Sequence, residues 1–236
     1  MIPWGDAMLL SCLDLRFGWD KNDVIALPRF EVARGERVFV CGPSGSGKST
    51  LLSLLAGIAV PREGHIRVED TVLSSLPASA RDRFRADHIG YIFQQFNLLP
   101  YLGILDNVLL SCAFSPRREQ RAGGRMAARL EALRLLAALG LDETSLRKRR
   151  VTELSVGQQQ RVAAARALIG SPELIIADEP TSALDTDARD VFLRLLLAEC
   201  ERASSSLVFV SHDMALARHF DRVVRLGART AQREPA

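Results

Sequence analysis

The pattern of apolar and polar residues predicts two kinds of β-strand in this chain. Partial alternation over Met8–Phe17 and over 24–32 predicts an antiparallel pair, and 65–69 alternates in the same way. Continuous apolar runs instead predict strands that are buried on both faces of a parallel sheet. These runs lie at 38–41, 174–177 and 207–210. The pattern therefore predicts an α/β fold in which an antiparallel β layer lies beside a parallel sheet.

Apolar residues in the middle of the chain recur at helical spacing instead. The clearest series is Met126, Leu130, Leu133, Leu136 and Leu139. Gly140 follows this series and is a suitable residue for a helix stop. We therefore expect one domain over residues 1–236, in which a helical subdomain at 100–169 is inserted into a core made of 1–99 and 170–236.

A phosphate-binding loop of the form G-x-x-x-x-G-K-[ST] follows the strand predicted at 38–41. It consists of Gly42, Pro43, Ser44, Gly45, Ser46, Gly47, Lys48, Ser49 and Thr50. The loop's N–H groups and the start of the helix that follows would converge on an anion. Lys48 would supply positive charge to the β- and γ-phosphates, and the Ser49 hydroxyl could bind Mg²⁺. The alternative is a Gly/Ser turn with an ordinary surface lysine.

Four polar side chains come just after predicted strands, which lie at 89–93, 174–177 and 207–210. They are Gln94, Asp178, Glu179 and His212. Because the carboxyl ends of parallel strands meet at one edge of a sheet, we expect all of them to lie near Lys48. Asp178 can hold Mg²⁺, Glu179 can polarise the attacking water, Gln94 can contact both, and His212 can bind the γ-phosphate. Taken alone, Asp178 and Glu179 could be a surface acid pair, Gln94 a loop glutamine and His212 a core histidine. Their joint occurrence in this order favours the catalytic interpretation.

A second helix start suited to an anion is predicted inside the helical subdomain, at 154–161. Ser155 can cap this helix, and Gly157 permits a close backbone approach. Because the segment lies apart from the loop at 42–50, it cannot close on its own chain's phosphate. Two chains packed head to tail would each offer it to the ATP of the other.

Composition and charge limit the classes of protein to be considered. The chain has 236 residues, 47% of them hydrophobic, and a net charge of +3, which is too small to argue for a nucleic acid partner. No apolar stretch reaches the ~20 residues of a membrane span. The N-terminus lacks the basic and apolar parts of a signal peptide. The cysteines lack metal-ligand spacing and predict reduced cytosolic thiols at Cys12, Cys41, Cys112 and Cys200.

Arginines are concentrated in the helical subdomain. The segment contains Arg117, Arg118, Arg121, Arg125 and Arg129, followed by Arg147, Lys148, Arg149 and Arg150. One interpretation is a solvated helical face. The other is contact with a partner or with the anionic inner leaflet of a membrane.

As an ordered set, these motifs resemble those of the ATPase subunits of ABC transporters. The resemblance runs from Trp19, at the place of the family's adenine-stacking aromatic residue, to beyond His212. It identifies Walker A at 42–50, the Q-loop at Gln94, the ABC signature at 154–158, Walker B with its catalytic glutamate at 174–179, the D-loop at 182–185 and the switch histidine at His212. Trp19 could instead be an ordinary half-buried tryptophan.

The resemblance implies an ATP hydrolase that uses Mg²⁺ and works as a dimer. Catalytic roles are implied for Lys48, Gln94, Glu179 and His212, and metal binding for Ser49, Gln94 and Asp178. Nucleotide binding is implied for Trp19, the loop at 42–50, Ser155, Gly157, Gln158 and Asp185, the last of which would bridge the two subunits. Val156 stands where the family usually has glycine. Because Ser155 and Gly157 are kept, we expect activity to survive this departure.

Within the family, the strings at 93–100 and 158–163 resemble the lipoprotein-releasing and macrolide-exporter group. This implies a peripheral subunit on the cytoplasmic face of the inner membrane, which binds a permease and a second ATPase subunit. Similar strings occur in amino-acid importers, so the direction of transport stays open. A soluble ABC ATPase of translation or DNA repair usually carries two cassettes, a coiled-coil insertion or zinc cysteines. A small-molecule kinase would have no use for the signature or for His212.

Overall fold

A computed structural model describes residues 8–20, 22–141 and 149–227. Residues 1–7, together with Arg147 and Lys148 of the arginine-rich segment, lie outside the described residues. The strands are β1 Met8–Phe17, β2 Ile25–Ala33, β3 Arg37–Cys41, β4 Glu63–Val68, β5 Thr71–Val72, β6 Ile89–Ile92, β7 Leu174–Asp178, β8 Ser206–Val210 and β9 Arg222–Arg225. The helices are α1 Lys48–Leu55, α2 Ala78–His88, α3 Ile104–Phe114, α4 Pro116–Arg121, α5 Arg125–Ala138, α6 Val156–Leu168 and α7 Thr186–Arg202.

The strands form two sheets of different character, as the sequence predicts. In the described part of the chain, a four-stranded antiparallel sheet has the order β2-β1-β4-β5. A five-stranded parallel sheet has the order β6-β7-β8-β3-β9. The predicted antiparallel pair is β1 with β2, in a register that places Phe17 opposite Ile25. The predicted α/β class and its antiparallel layer are therefore confirmed.

The central strands of the parallel sheet are apolar throughout because both of their faces are covered. Val38 and Val40 of β3 pack with α1 and the antiparallel layer on one face. Phe39, between them, packs on the other face in the core that includes α3, α5, α6 and α7. Its ring is stacked on that of Phe209 in the neighbouring strand, with 6.2 Å between the ring centroids. Period-two alternation thus divides each strand between two cores.

Helix α5 is present where the helical series predicts it, but its buried face is offset from that series. Leu136 and Leu139 are buried, whereas Met126 and Leu130 project into solvent. Small residues complete the buried face, because Ala128 and Ala132 allow close approach of the neighbouring helices. The predicted stop is confirmed: α5 ends at Ala138, and Gly140 has the left-handed φ of 77° that ends many helices.

The cysteines at 12, 41, 112 and 200 are all free and buried. Burial raises the pKa of the Cys200 thiol to about 12, so this thiol is protonated at neutral pH. No helix in the described residues is long and apolar enough to cross a membrane.

Glu173, just before β7, joins three separate segments. Its carboxylate lies 3.1 Å from His88 Nδ1, 2.9 Å from an Arg117 nitrogen and 2.5 Å from an Arg121 nitrogen. Burial alone would raise the pKa of Glu173, but the hydrogen bonds from His88 and Arg117 hold this pKa far below its usual range. The charged carboxylate therefore stabilises the attachment of α2 and α4 to the start of β7.

Glu173→Gln is expected to lower the free energy of unfolding by about 1–3 kcal/mol near neutral pH, because the cluster loses its charge-assisted hydrogen bonds. A carboxylate whose pKa is depressed by folding stabilises the protein above its unfolded pKa, and this stabilisation is lost as the pH falls. The difference in the free energy of unfolding between Glu173→Gln and the natural protein should therefore become smaller below about pH 5. Urea unfolding at several pH values measures it. The control is Glu63→Gln, an exposed site; an equal effect there would contradict the prediction.

Candidate functional site

The loop at 42–50 leaves the carboxyl end of β3 and enters α1. Gly47 precedes the helix with a left-handed φ of 89°, and a Cβ there would lie 2.7 Å from Ile25 Cδ1. A Cβ on Gly42 would lie 2.4 Å from the carbonyl oxygen of Leu226. Glycine is therefore required at both positions. No side chain caps the start of α1, so the N–H groups of its first turn are available to an anion.

Lys48 folds back over this loop. Its Nζ donates hydrogen bonds to the carbonyl oxygens of Gly42 and Pro43, each at 3.0 Å. The hydroxyl of Ser46 is buried and has no hydrogen-bond partner among the described residues. A positive charge, free N–H groups and an unsatisfied hydroxyl thus meet in one loop, and this combination suits a phosphate chain.

Asp178 ends β7, two strands away from β3 in the same parallel sheet. The Ser49 hydroxyl lies close to its carboxylate. Burial raises the pKa of Asp178, and the neighbouring Glu179 raises it further, while Ser49 and Lys48 act in the opposite direction. A hydroxyl beside a carboxylate forms a donor set that fits Mg²⁺, which prefers oxygen ligands.

Glu179 and His212 are brought together at the ends of neighbouring strands. Glu179 Oε2 lies 3.2 Å from His212 Nδ1. Glu179 has a left-handed φ of 43°, and its N–H donates to the carbonyl oxygen of Val210 at 3.0 Å. This backbone conformation is uncommon for a residue with a side chain, and it separates the direction of Glu179 from that of Asp178. The two carboxylates can therefore take different roles.

Gln94 lies in an exposed turn after β6, at the same edge of the sheet. No hydrogen bond within residues 8–20, 22–141 and 149–227 joins its side chain to Asp178 or Glu179. The loop beyond it is held by Arg166 of α6, which donates to the carbonyl oxygens of Phe96 at 2.5 Å and Asn97 at 2.6 Å. Gln94 thus belongs to a loop that is connected to the helical segment.

The second predicted anion site is the start of α6, and its cap is confirmed. Ser155 Oγ accepts a hydrogen bond from the N–H of Gln158 at 3.3 Å, and Gln158 Oε1 accepts one from the N–H of Ser155 at 3.0 Å. This reciprocal pair is a capping box. Val156 is exposed and Gly157 partly so. No hydrogen bond or ion pair in the described part of the chain joins this helix start to the loop at 42–50.

Trp19 and Asp185 lie on the surface. The Trp19 side chain is 72% exposed, and its ring meets Phe17 edge-on with 5.0 Å between centroids, so its face is available for stacking. Asp185 caps α7 by accepting a hydrogen bond from the N–H of Ala188 at 2.8 Å. Arg189, one turn into the same helix, forms an ion pair with Asp213, the residue after His212.

Two buried side chains that the sequence reasoning missed hold α6 in place. Gln160 donates a hydrogen bond to the carbonyl oxygen of Pro180, the residue after Glu179. Arg118, 2% exposed, donates to the carbonyl oxygens of Ala167 and Ile169 at the other end of α6. Burial lowers the pKa of Arg118 to about 10, so it keeps its charge at neutral pH. Neither partner could be read from the sequence, because each lies 20 or more residues away along the chain.

Comparisons with known proteins agree on one family. The model of the family described as "ABC transporter" matches residues 27–182. An uncharacterised ABC transporter ATP-binding protein of Methanocaldococcus jannaschii, MJ0796, is 37% identical over 86% of this chain and 85% of its own length. The lipoprotein-releasing system ATP-binding protein LolD of Syntrophotalea carbinolica is 38% identical over 91% of both chains.

A macrolide export ATP-binding/permease protein, MacB 1 of Aeromonas hydrophila, is 44% identical over 95% of this chain, which spans only 34% of that protein. Among solved structures, the MJ0796 cassette in a dimeric post-hydrolysis state bound to ADP and Pi superimposes with a TM-score of 0.81. That comparison covers 92% of this chain and 94% of the other at 33% identity. Sequence and fold therefore agree over almost the whole length.

Proposed function

Because the chain belongs to the ABC transporter family as one of its ATP-binding, ATP-hydrolysing subunits, we propose that hydrolysis occurs at the carboxyl edge of its parallel sheet and drives a separate permease. The observation that carries the proposal is the joint placement of two pairs at this edge. One pair is Ser49 with Asp178, and the other is Glu179 with His212. An anion-binding loop without a nearby carboxylate–histidine pair would support nucleotide binding alone.

Lys48 and the loop at 42–50 hold the phosphates in this proposal. Ser49 and Asp178 would hold Mg²⁺, and Gln94 would join them from its exposed turn. When bound, Mg²⁺ would neutralise part of the negative charge of the phosphates. The closeness of Ser49 to Asp178 supports this assignment, because a hydroxyl and a carboxylate both supply the oxygen ligands that Mg²⁺ prefers.

Glu179 polarises the attacking water, and His212 binds the γ-phosphate. Their 3.2 Å contact supports these roles, since the histidine orients the carboxylate before the substrate arrives. Gln94 would bind both the metal and the water. We assign each role by the position of the side chain at the sheet edge.

Two copies of the chain, or this chain and a related one, enclose two ATP molecules. Ser155, Gly157 and Gln158 of one copy bind the ATP held by the other, and Asp185 bridges the copies. The exposed start of α6 supports this arrangement, because no hydrogen bond or ion pair among the described residues joins it to the loop at 42–50. Trp19 stacks on the adenine ring. The MJ0796 cassette, whose dimer has been solved, provides the precedent.

A groove beside the Gln94 turn supports docking of a permease. It has a volume of about 590 Å³ and an apolar floor that includes Ile58, Phe93, Leu110 and Phe114. Tyr91 and Phe93 stack in it with 4.2 Å between their ring centroids. The groove lies between the core and the helices at 100–169. We propose that this is the boundary between the core and a helical subdomain. A permease segment placed here would act on Gln94 and on α6 together.

We assign the transporter to the lipoprotein-releasing or macrolide-export type, with this subunit on the cytoplasmic face of the inner membrane. The similarity to LolD and to MacB supports this choice. An amino-acid-type importer is the alternative. A soluble ABC ATPase of translation or DNA repair is less well supported, because the similarity is to transporter subunits.

The test is recovery of tagged Glu179→Gln from native membranes in detergent with ATP, followed by mass spectrometry. We expect a membrane protein with few spans and a large domain outside the membrane to be recovered. Recovery of an importer-type permease would instead show that the transporter works as an importer. Recovery of only ribosomal or DNA-bound proteins would contradict the proposal. A parallel sample of Glu201→Gln, an exposed site on the outer end of α7, controls for nonspecific recovery.

A further inference from the structure

Helix α5 carries an apolar stripe on the face turned away from the protein. Met126 is 87% exposed and Leu130 is 70% exposed. Leu133 is partly exposed and Ala137 is exposed, so the stripe continues at the spacing i, i+4, i+7 and i+11. The opposite face is the buried one described above, which packs against the core through Ala128 and Ala132. The helix is thus apolar on two faces, and its fold uses only one of them.

Arginines border this stripe. Arg125 and Arg129 are exposed, and among the described residues neither forms an ion pair or a hydrogen bond through its side chain. Over α4 and α5 together, residues 116–138 contain six arginines and two glutamates, a net charge of +4. The whole chain carries only +3, so its positive excess is concentrated here. Two of the six, Arg117 and Arg121, share the single carboxylate of Glu173.

We propose that this face of α5, formed by Arg125, Met126, Arg129 and Leu130, lies on the anionic surface of a lipid membrane. The guanidinium groups bind lipid phosphates, and the Met126 and Leu130 side chains enter the boundary between headgroups and acyl chains. The inference rests on the proposed function only in that a permease brings the subunit to a membrane. Direct lipid contact would then hold the helical subdomain near the bilayer independently of the permease.

The shape of the surface favours a lipid rather than a protein partner. Side chains that are 87% and 70% exposed project into solvent, and projecting side chains need no matching groove on a fluid headgroup layer. A stable protein interface buries roughly 800 Å² on each partner, which is far more than four side chains along one helix provide. Unpaired arginines beside an apolar stripe are the composition of helices that lie in the membrane interface.

The test is flotation of the purified full-length chain with vesicles of phosphatidylcholine alone or mixed equally with phosphatidylglycerol. We expect binding to the anionic vesicles only, and weaker binding at high salt. Arg125→Gln with Arg129→Gln should weaken it about 30-fold, at roughly fivefold for each arginine near an anionic surface. Met126→Gln with Leu130→Gln should weaken it at least about tenfold. The matched control is Arg29→Gln with Arg194→Gln, two exposed arginines elsewhere that remove the same charge.

Equal binding of all variants, equal binding to both kinds of vesicle, or no binding of the natural chain would overturn the inference. So would a variant that keeps vesicle binding and loses recovery of a protein partner, since that result identifies the face as a protein contact. ATP hydrolysis by the purified variants should be unchanged, because the substituted residues lie outside the proposed site. If the natural chain itself did not hydrolyse ATP, the proposed function would be refuted. Failure of the lipid-contact inference and failure of the proposed function can therefore be told apart.

Discussion

Glu179→Gln should hydrolyse ATP at least about 100-fold more slowly than the natural chain while binding ATP almost as tightly. Glutamine keeps the size of the side chain but cannot polarise water as a carboxylate does. The 3.2 Å contact to His212 can survive the change, since the amide still presents a polar atom at that position. If hydrolysis opens the proposed dimer, the variant should accumulate as a closed dimer when ATP is present.

Phosphate release measures the rate, and size-exclusion chromatography with and without ATP measures the dimer. Glu201→Gln, which makes the same chemical change at an exposed site on α7, should hydrolyse ATP normally. Near-normal turnover in Glu179→Gln would show that another group polarises the water. Slow turnover together with weak ATP binding would show that Glu179 acts in binding instead.

Lys48→Met should bind ATP about 100-fold more weakly. The ammonium group would give the phosphates charge-assisted hydrogen bonds, each worth roughly 1.5–3 kcal/mol. Methionine keeps much of the length of the side chain and removes its charge and its donors. It also removes the two hydrogen bonds that Lys48 makes to the loop carbonyls at 3.0 Å. Calorimetric titration of ATP measures the affinity, and thermal unfolding shows whether the variant remains folded.

Ser155→Arg tests whether the start of α6 acts on the ATP of a second copy, whereas Lys48 acts on the ATP of its own chain. If α6 binds the ATP of a second copy, this variant should bind ATP like the natural chain at low protein concentration. It should then fail to form the dimer and to hydrolyse ATP, because a large cation fills the helix start. A loss of affinity equal to that of Lys48→Met would place both residues in one chain's site and contradict the head-to-tail arrangement.

The parts of this molecule that the sequence predicts well depend on neighbours along the chain. The loop at 42–50 needs glycine, lysine and serine at fixed offsets, and its flanking strand and helix are visible in the same 20 residues. Asp178 and Glu179 follow directly on an apolar strand, so parallel pairing alone brings them to the edge that holds Lys48. The cap of α6 by Ser155 and Gln158 is local in the same sense.

The parts that it predicts poorly depend on partners far apart in the chain. Arg118 belongs to an arginine-rich segment for which a solvated face or a partner surface is the natural interpretation. It is instead buried, because carbonyl groups at the end of α6 accept its hydrogen bonds. Likewise, helical periodicity marks Met126 and Leu130 as members of an apolar series but does not show which face of α5 meets the core.

Helix α6 connects the loop beyond Gln94 with the backbone beside Glu179. Near its far end, Arg166 donates to the carbonyl oxygens of Phe96 and Asn97. Near its capped start, Gln160 donates to the carbonyl oxygen of Pro180, the residue after Glu179. These two attachments lie about 9 Å apart along the helix, at 1.5 Å per residue. A shift of the loop at 96–97 would therefore reach, through one rigid helix, both the capped start of α6 and the backbone beside the proposed catalytic glutamate.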